Sequence, residues 1–113
     1  MNIQIYGKAK CFDTKKAERY FKERRIKYQF IDLAKYGMSQ GEYRNILRAV
    51  GDFDALLDKN CKAYADSFIE YLASNEAKEE KLLENQIIFK TPIVRNGKQA
   101  TVGYQPDIWK TWE

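Results

Sequence analysis

Apolar and polar positions alternate through Ile3-Gln4-Ile5-Tyr6, the period of a half-buried strand, and Gly7 breaks the run. The period then changes. Ala17, Tyr20, Phe21 and Arg24 fall at i, i+3, i+4 and i+7, which predicts a helix over Thr14 to Arg25. Alternation returns from Ile26 to Leu33 and predicts a second strand. A strand, a helix of about a dozen residues and a strand describe a right-handed βαβ crossover with parallel strands.

Ser39 followed by Glu42 is a capping box that opens a helix running to Val50, with Tyr43, Ile46 and Leu47 inward and Gly51 closing it. A short helical turn is expected over 52–58. A helix follows over Tyr64 to Leu72 with Phe68, Ile69 and Leu72 on one face. Another is capped by Asn75 and reaches Glu84, with Leu82 and Leu83 facing the core. The pattern then reverts to β. Pro92 to Arg95 is a strand, Asn96-Gly97 a hairpin turn, and Gln99 to Val102 the return strand. Asp107 to Trp112 closes the chain as a short helix with Ile108, Trp109 and Trp112 inward. The expected fold is α/β, with βαβ and ββα units sharing a four-stranded mixed sheet and a helical insertion at 39–85. At 113 residues it is expected to form a single domain, 1–113.

Composition narrows the chemistry. The chain has two cysteines and no histidine, so a zinc site lacks ligands and no Cys–His or Ser–His dyad can form. No bound cofactor or metal is expected. No apolar run approaches the about 18 residues of a membrane span, and residues 1–20 carry lysines throughout. The expectation is a cytoplasmic protein with free thiols, without membrane association or direct nucleic-acid binding. Charge is uneven: residues 1–36 carry ten Lys/Arg against four Asp/Glu. That half attracts anions.

Cys11 stands at the start of the first helix, just past the carboxyl end of the first strand. Free N–H groups and the helix dipole stabilise a thiolate there, with Lys8, Lys10 and Lys15 adding positive charge and Asp13 opposing it. Its ionisation is therefore expected below the about 8.5 of a free cysteine. Thr14 can donate a hydrogen bond to that thiolate but cannot resolve a mixed disulfide. Lys8 and Lys10 either steer an anionic substrate or are simply solvated. Cys61 is either a half-buried incidental thiol or the resolving partner.

Three segments carry a family resemblance: Tyr6-Gly7-Lys8-Ala9-Lys10-Cys11-Phe12-Asp13-Thr14, the stretch from Leu82-Leu83-Glu84-Asn85 to Lys90-Thr91-Pro92-Ile93-Val94, and Val102-Gly103-Tyr104. In this order, around a helical insertion, they resemble the arsenate reductase-like (ArsC/Spx) branch of the thioredoxin fold. The resemblance implies a thioredoxin-like fold, a cis Pro92 facing Cys11, and substrate contacts at Thr91, Pro92 and Tyr104. It also implies thiol oxidoreductase chemistry at a single cysteine, with glutathione as co-substrate or a glutaredoxin- or thioredoxin-type protein as partner. Arsenate reductases of this branch surround the cysteine with three arginines. The matching places fall near Asp54, at Thr91 and near Tyr104, which argues against arsenate reduction itself. The alternative implied is an Spx-like regulator that binds the RNA polymerase α subunit or another protein. Spx-type members commonly pair the first cysteine with a second one where Thr14 stands here.

Overall fold

The computed structural model describes residues 1–112. Strands β1 (Ile3–Gly7) and β2 (Tyr28–Asp32) are parallel and flank helix α1 (Phe12–Glu23) in sequence. Strands β3 (Ile93–Asn96) and β4 (Gln99–Val102) form an antiparallel hairpin, and β3 lies antiparallel to β1. The sheet order is β2-β1-β3-β4, the mixed four-stranded arrangement expected. Between β2 and β3 come α2 (Gln40–Val50), α3 (Lys62–Ser67) and α4 (Asn75–Glu84), and α5 (Pro106–Trp109) follows β4.

The pleat of β1 divides the core. Ile3 and Ile5 pack with Ala17, Tyr20, Phe21, Val94 and Trp109 on the α1 side. Tyr6 belongs to the other cluster, with Ile31, Tyr43, Ile46, Leu82 and Phe89 on the side of the insertion. Burying these side chains contributes about 1.5–3 kcal/mol each, so the two layers together hold the sheet. Gln86 fastens the insertion to the chain after β2. Its Oε1 accepts from the Met38 N–H at 2.6 Å and its Nε2 donates to the Met38 carbonyl at 2.9 Å.

The capping box of α2 forms as expected. Ser39 Oγ accepts from the Glu42 N–H at 3.2 Å, Glu42 Oε1 accepts from the Ser39 N–H at 3.0 Å, and Gly51 ends the helix at φ +80°. The other Glu42 oxygen accepts the hydroxyl of Tyr6, which ties the cap to β1.

Several expectations need correction. Helix α1 begins at Phe12, not Thr14, with Cys11 as its cap residue. Strand β2 is shorter than Ile26–Leu33 and lies at an edge; Ile31 is buried while Phe30 stays 37% exposed. The helix expected over Tyr64 to Leu72 breaks at Phe68, which takes φ +55° and points to solvent. Ser67 causes the break, because its hydroxyl donates to the Tyr64 carbonyl and accepts from the Ile69 N–H. Ser74, not Asn75, caps α4, its Oγ accepting from the Ala77 N–H at 3.1 Å. In the closing segment, α5 runs directly into a further turn over Lys110–Trp112; Trp109 is fully buried, while Ile108, expected inward, is 44% exposed.

Candidate functional site

Strand β1 ends at Gly7, and the chain turns over Lys8 to Lys10 before α1. The Cys11 N–H donates to the Lys8 carbonyl at 3.1 Å, closing that turn. Cys11 itself is extended, at φ −81° and ψ 119°, so its side chain lies beside the free N–H groups of the first helical turn. The turn is tight because Gly7 has no side chain. A Cβ at Gly7 would sit 2.4 Å from the Thr14 Cγ2 and 2.8 Å from the Thr14 Oγ1. Packing therefore fixes Thr14, which is buried, on the face that carries the sulfur.

The opposite wall is the approach to β3. The Thr91–Pro92 peptide is cis, as the resemblance implied. The Cys11 thiol donates to the Thr91 carbonyl at 3.6 Å, so Cys11 and Thr91 meet across 80 residues of chain. The Pro92 carbonyl accepts from the Gly103 N–H at 2.8 Å, which sets Tyr104 at the same end of the sheet.

Half-burial pushes the Cys11 pKa up, but hydrogen bonds outweigh it. The Thr14 and Thr91 hydroxyls and the backbone N–H groups of Thr14 and Asp13 hold the sulfur below its ordinary value. Geometry gives the same account from the other side. While Cys11 is a neutral thiol its proton goes to Thr91, and the buried Thr14 hydroxyl has no hydrogen-bond partner. Ionisation turns the sulfur into the acceptor that this hydroxyl lacks, removing the cost of an unsatisfied buried donor. The stabilisation is chiefly hydrogen bonding, from Thr14 and the first-turn N–H groups as expected and from Thr91 in addition, and the lysine charges are not among its leading causes. Lys8 is half-buried and Lys10 exposed.

One group was invisible in the sequence. The Lys16 ammonium lies 5.1 Å from the centre of the Phe12 ring and 5.4 Å from that of Tyr104. Phe12, next to Cys11, is 70% exposed and Tyr104 is 40% exposed. Two solvent-facing aromatic rings therefore flank a lysine one helical turn past Phe12. The i, i+4 spacing of Phe12 and Lys16 is a local signal, but Tyr104 joins them only through the fold.

The remaining candidates, Cys61 and Asp54, make their contacts within the insertion. Cys61 is a free, half-buried thiol that caps α3, its Sγ accepting from the Tyr64 N–H at 3.4 Å. Asp54 is exposed and paired with Lys59 at 3.5 Å. Among the described residues no group of three or more His, Cys, Asp or Glu is placed to hold a metal ion. No described helix is long and apolar enough to cross a membrane.

Comparison with known proteins bears on the fold and the family. The global transcriptional regulator Spx 2 of Oceanobacillus iheyensis is 30% identical over 112 residues, covering 95% of this chain and 80% of that protein. An arsenate reductase from Vibrio cholerae superimposes with a TM-score of 0.84 at 21% identity, covering 96% of this chain and 94% of the other. The NrdH-redoxin of Escherichia coli, a glutaredoxin-like protein, superimposes with a TM-score of 0.52 at 17% identity, covering 100% and 96%. These two likenesses establish the thioredoxin-like fold. The ArsC family model matches residues 6–112, and with the Spx relative over nearly the same span, the chain belongs to the ArsC family.

Proposed function

We propose that the protein is a thiol oxidoreductase that works through Cys11 alone. The observation that carries this reading is a cysteine at the cap position of α1 beside a buried, unpartnered Thr14 hydroxyl, for which a thiolate is the strong acceptor. The Cys11 thiolate attacks one sulfur of a disulfide. A Cys11–sulfur bond forms, the original S–S bond breaks, and the second sulfur leaves as a thiolate. A further thiol, from glutathione or a glutaredoxin- or thioredoxin-type partner, then attacks the adduct and releases Cys11. In this reading Thr14 holds the thiolate, while Thr91 and Pro92 form the wall against which the incoming sulfur lies. Tyr104 flanks the substrate, and Lys8 and Lys10 attract it by charge. Cys61, engaged with the Tyr64 N–H, is assigned the cap of α3 rather than resolution.

Arsenate reduction is not part of the proposal. Asp54, Thr91 and Tyr104 offer one anion and two neutral groups where the family's reductases carry arginine. Oxidised glutathione is expected to add one glutathionyl group to the wild-type chain, read by intact mass, and Cys11→Ser is expected to remove the adduct. An unmodified wild type, or an adduct that survives in Cys11→Ser, would overturn the reading.

A second reading rests on the 30% identity to Spx 2. In it the same scaffold is an interaction module that docks on the RNA polymerase α subunit or another protein without catalysis. Purified α subunit would then be captured equally by wild type and Cys11→Ser. Reversing surface charges on the helical insertion would weaken the capture.

A further inference from the structure

Beyond Cys11, α1 continues as one side of a groove of about 370 Å³ that Tyr104, Pro106 and Lys110 close on the other side. That volume falls within the about 300–1,000 Å³ of small-molecule sites. Its charged lining is Lys16, Arg19, Arg24 and Lys110 against Glu23 and Asp107. Asp107 is already engaged by Lys110 at 3.7 Å. Among the described residues no ion pair involves Lys16, Arg19 or Arg24. Arg24 lies over Tyr20, 3.7 Å from the ring centre, with its Nη1 donating to the Tyr20 carbonyl at 3.3 Å, and Lys16 is held between Phe12 and Tyr104. Contacts with aromatic rings hold a cation in place without cancelling its charge, which leaves it available to a carboxylate.

We propose that this groove recognises a carboxylate of the disulfide that reacts at Cys11, with Lys16 as the first reader. The inference rests on the mixed-disulfide reading of Cys11 and adds a substrate class to it: a small disulfide whose carboxylate stands a short peptide length from its sulfur. The spacing supports that length. Helical rise sets Lys16 about 7.5 Å along α1 from Cys11, and two extended residues span about 7 Å. Phe12 and Tyr104 supply apolar cover for the chain between sulfur and carboxylate. Lys16 acts in positioning and selectivity. The exchange remains the one described, in which the Cys11 thiolate displaces one thiolate from the disulfide and no outside oxidant is required.

The test compares the rate of Cys11 adduct formation from oxidised glutathione with that from the uncharged 2-hydroxyethyl disulfide, by quenched intact mass. The quantity read is the ratio of the two rates, which cancels any general change in thiol reactivity. Lys16→Gln is expected to lower that ratio by about threefold and Lys16→Gln with Arg19→Gln by about tenfold, the scale of exposed charge pairs. Lys16→Arg should restore it. Added salt should compress the wild-type ratio. Lys98→Gln, an exposed lysine on the hairpin turn, controls for net charge and should leave the ratio unchanged. An unchanged ratio in Lys16→Gln, or an equal fall in Lys98→Gln, would overturn the groove while leaving the chemistry of Cys11 intact. Failure of both disulfides to react would overturn the Cys11 reading and the groove with it.

Discussion

Two threonines set whether Cys11 keeps its proton, Thr91 by accepting it and Thr14 by donating to the thiolate. The Thr91 carbonyl accepts the S–H of the neutral thiol, which leaves the Thr14 hydroxyl buried without a partner. The thiolate gains that hydroxyl and the N–H groups of Asp13 and Thr14. Hydrogen bonds to charged groups contribute about 1.5–3 kcal/mol, so Thr14→Val, which keeps the shape and removes the donor, should move the inflection of Cys11 alkylation to higher pH. Folding should also favour the thiolate. Because the folded value lies below the unfolded one, this contribution is fully present above about 8.5 and fades as pH falls through the folded value. The stability difference between wild type and Cys11→Ser, from urea melts, should therefore shift in favour of wild type as pH rises through that window. Gly7→Ala tests the packing behind Thr14. Its new methyl would press on the buried Thr14 side chain, an overpacking that costs about 1–3 kcal/mol, and melts should show the loss.

Helix α2 shows what an element can reveal in sequence. Ser39 and Glu42 stand three apart before an apolar run, and both the capping box and the left-handed Gly51 follow from local rules. Ser39→Ala should cost about 1 kcal/mol of stability, measured by denaturant melts. Burial raises the Glu42 pKa, but the Tyr6 hydroxyl, the Ser39 groups and Arg95 hold it below its ordinary value. A depressed carboxylate contributes stability that is present above the ordinary range and lost as pH falls through the folded value. Removing Tyr6's hydroxyl with Tyr6→Phe should accordingly flatten the acid limb of the stability curve. The tie between Tyr6 and Glu42 was not legible, since it crosses from the sheet to the insertion. Phe68 was misread for a related reason: apolar periodicity continues through it, while the Ser67 hydrogen bonds end the helix there. The cap of α4 slipped by one residue because Ser74 and Asn75 are both good caps.

At the scale of the whole molecule, the sheet brings the ends of the chain to one site. Trp109 anchors the closing segment by its burial, by its packing on Phe21 and Tyr20, and by its Nε1–H, which donates to Thr101 Oγ1 at 2.8 Å. Trp109→Ala should cost about 3–5 kcal/mol, and Trp109→Phe less, in equilibrium melts. The βαβ unit, the insertion and the hairpin were legible because each rests on periodicity and turn chemistry. Cys11 and Thr14 were legible because a helix start is a local event. The cluster of Phe12, Lys16 and Tyr104 was not, because its third member arrives from the far end of the chain. The hydrogen bond from Thr14 is local and was legible with the helix start, whereas the Thr91 partner appears only once the approach to β3 is placed beside Cys11. The central claim is that this fold stabilises a thiolate at Cys11. Its most direct test is the rate of alkylation at Cys11 against pH, with Cys61 followed in the same sample by mass spectrometry. The account predicts an inflection for Cys11 well below about 8.5. An inflection at or above that value, or a Cys11 protected from the reagent, would contradict it.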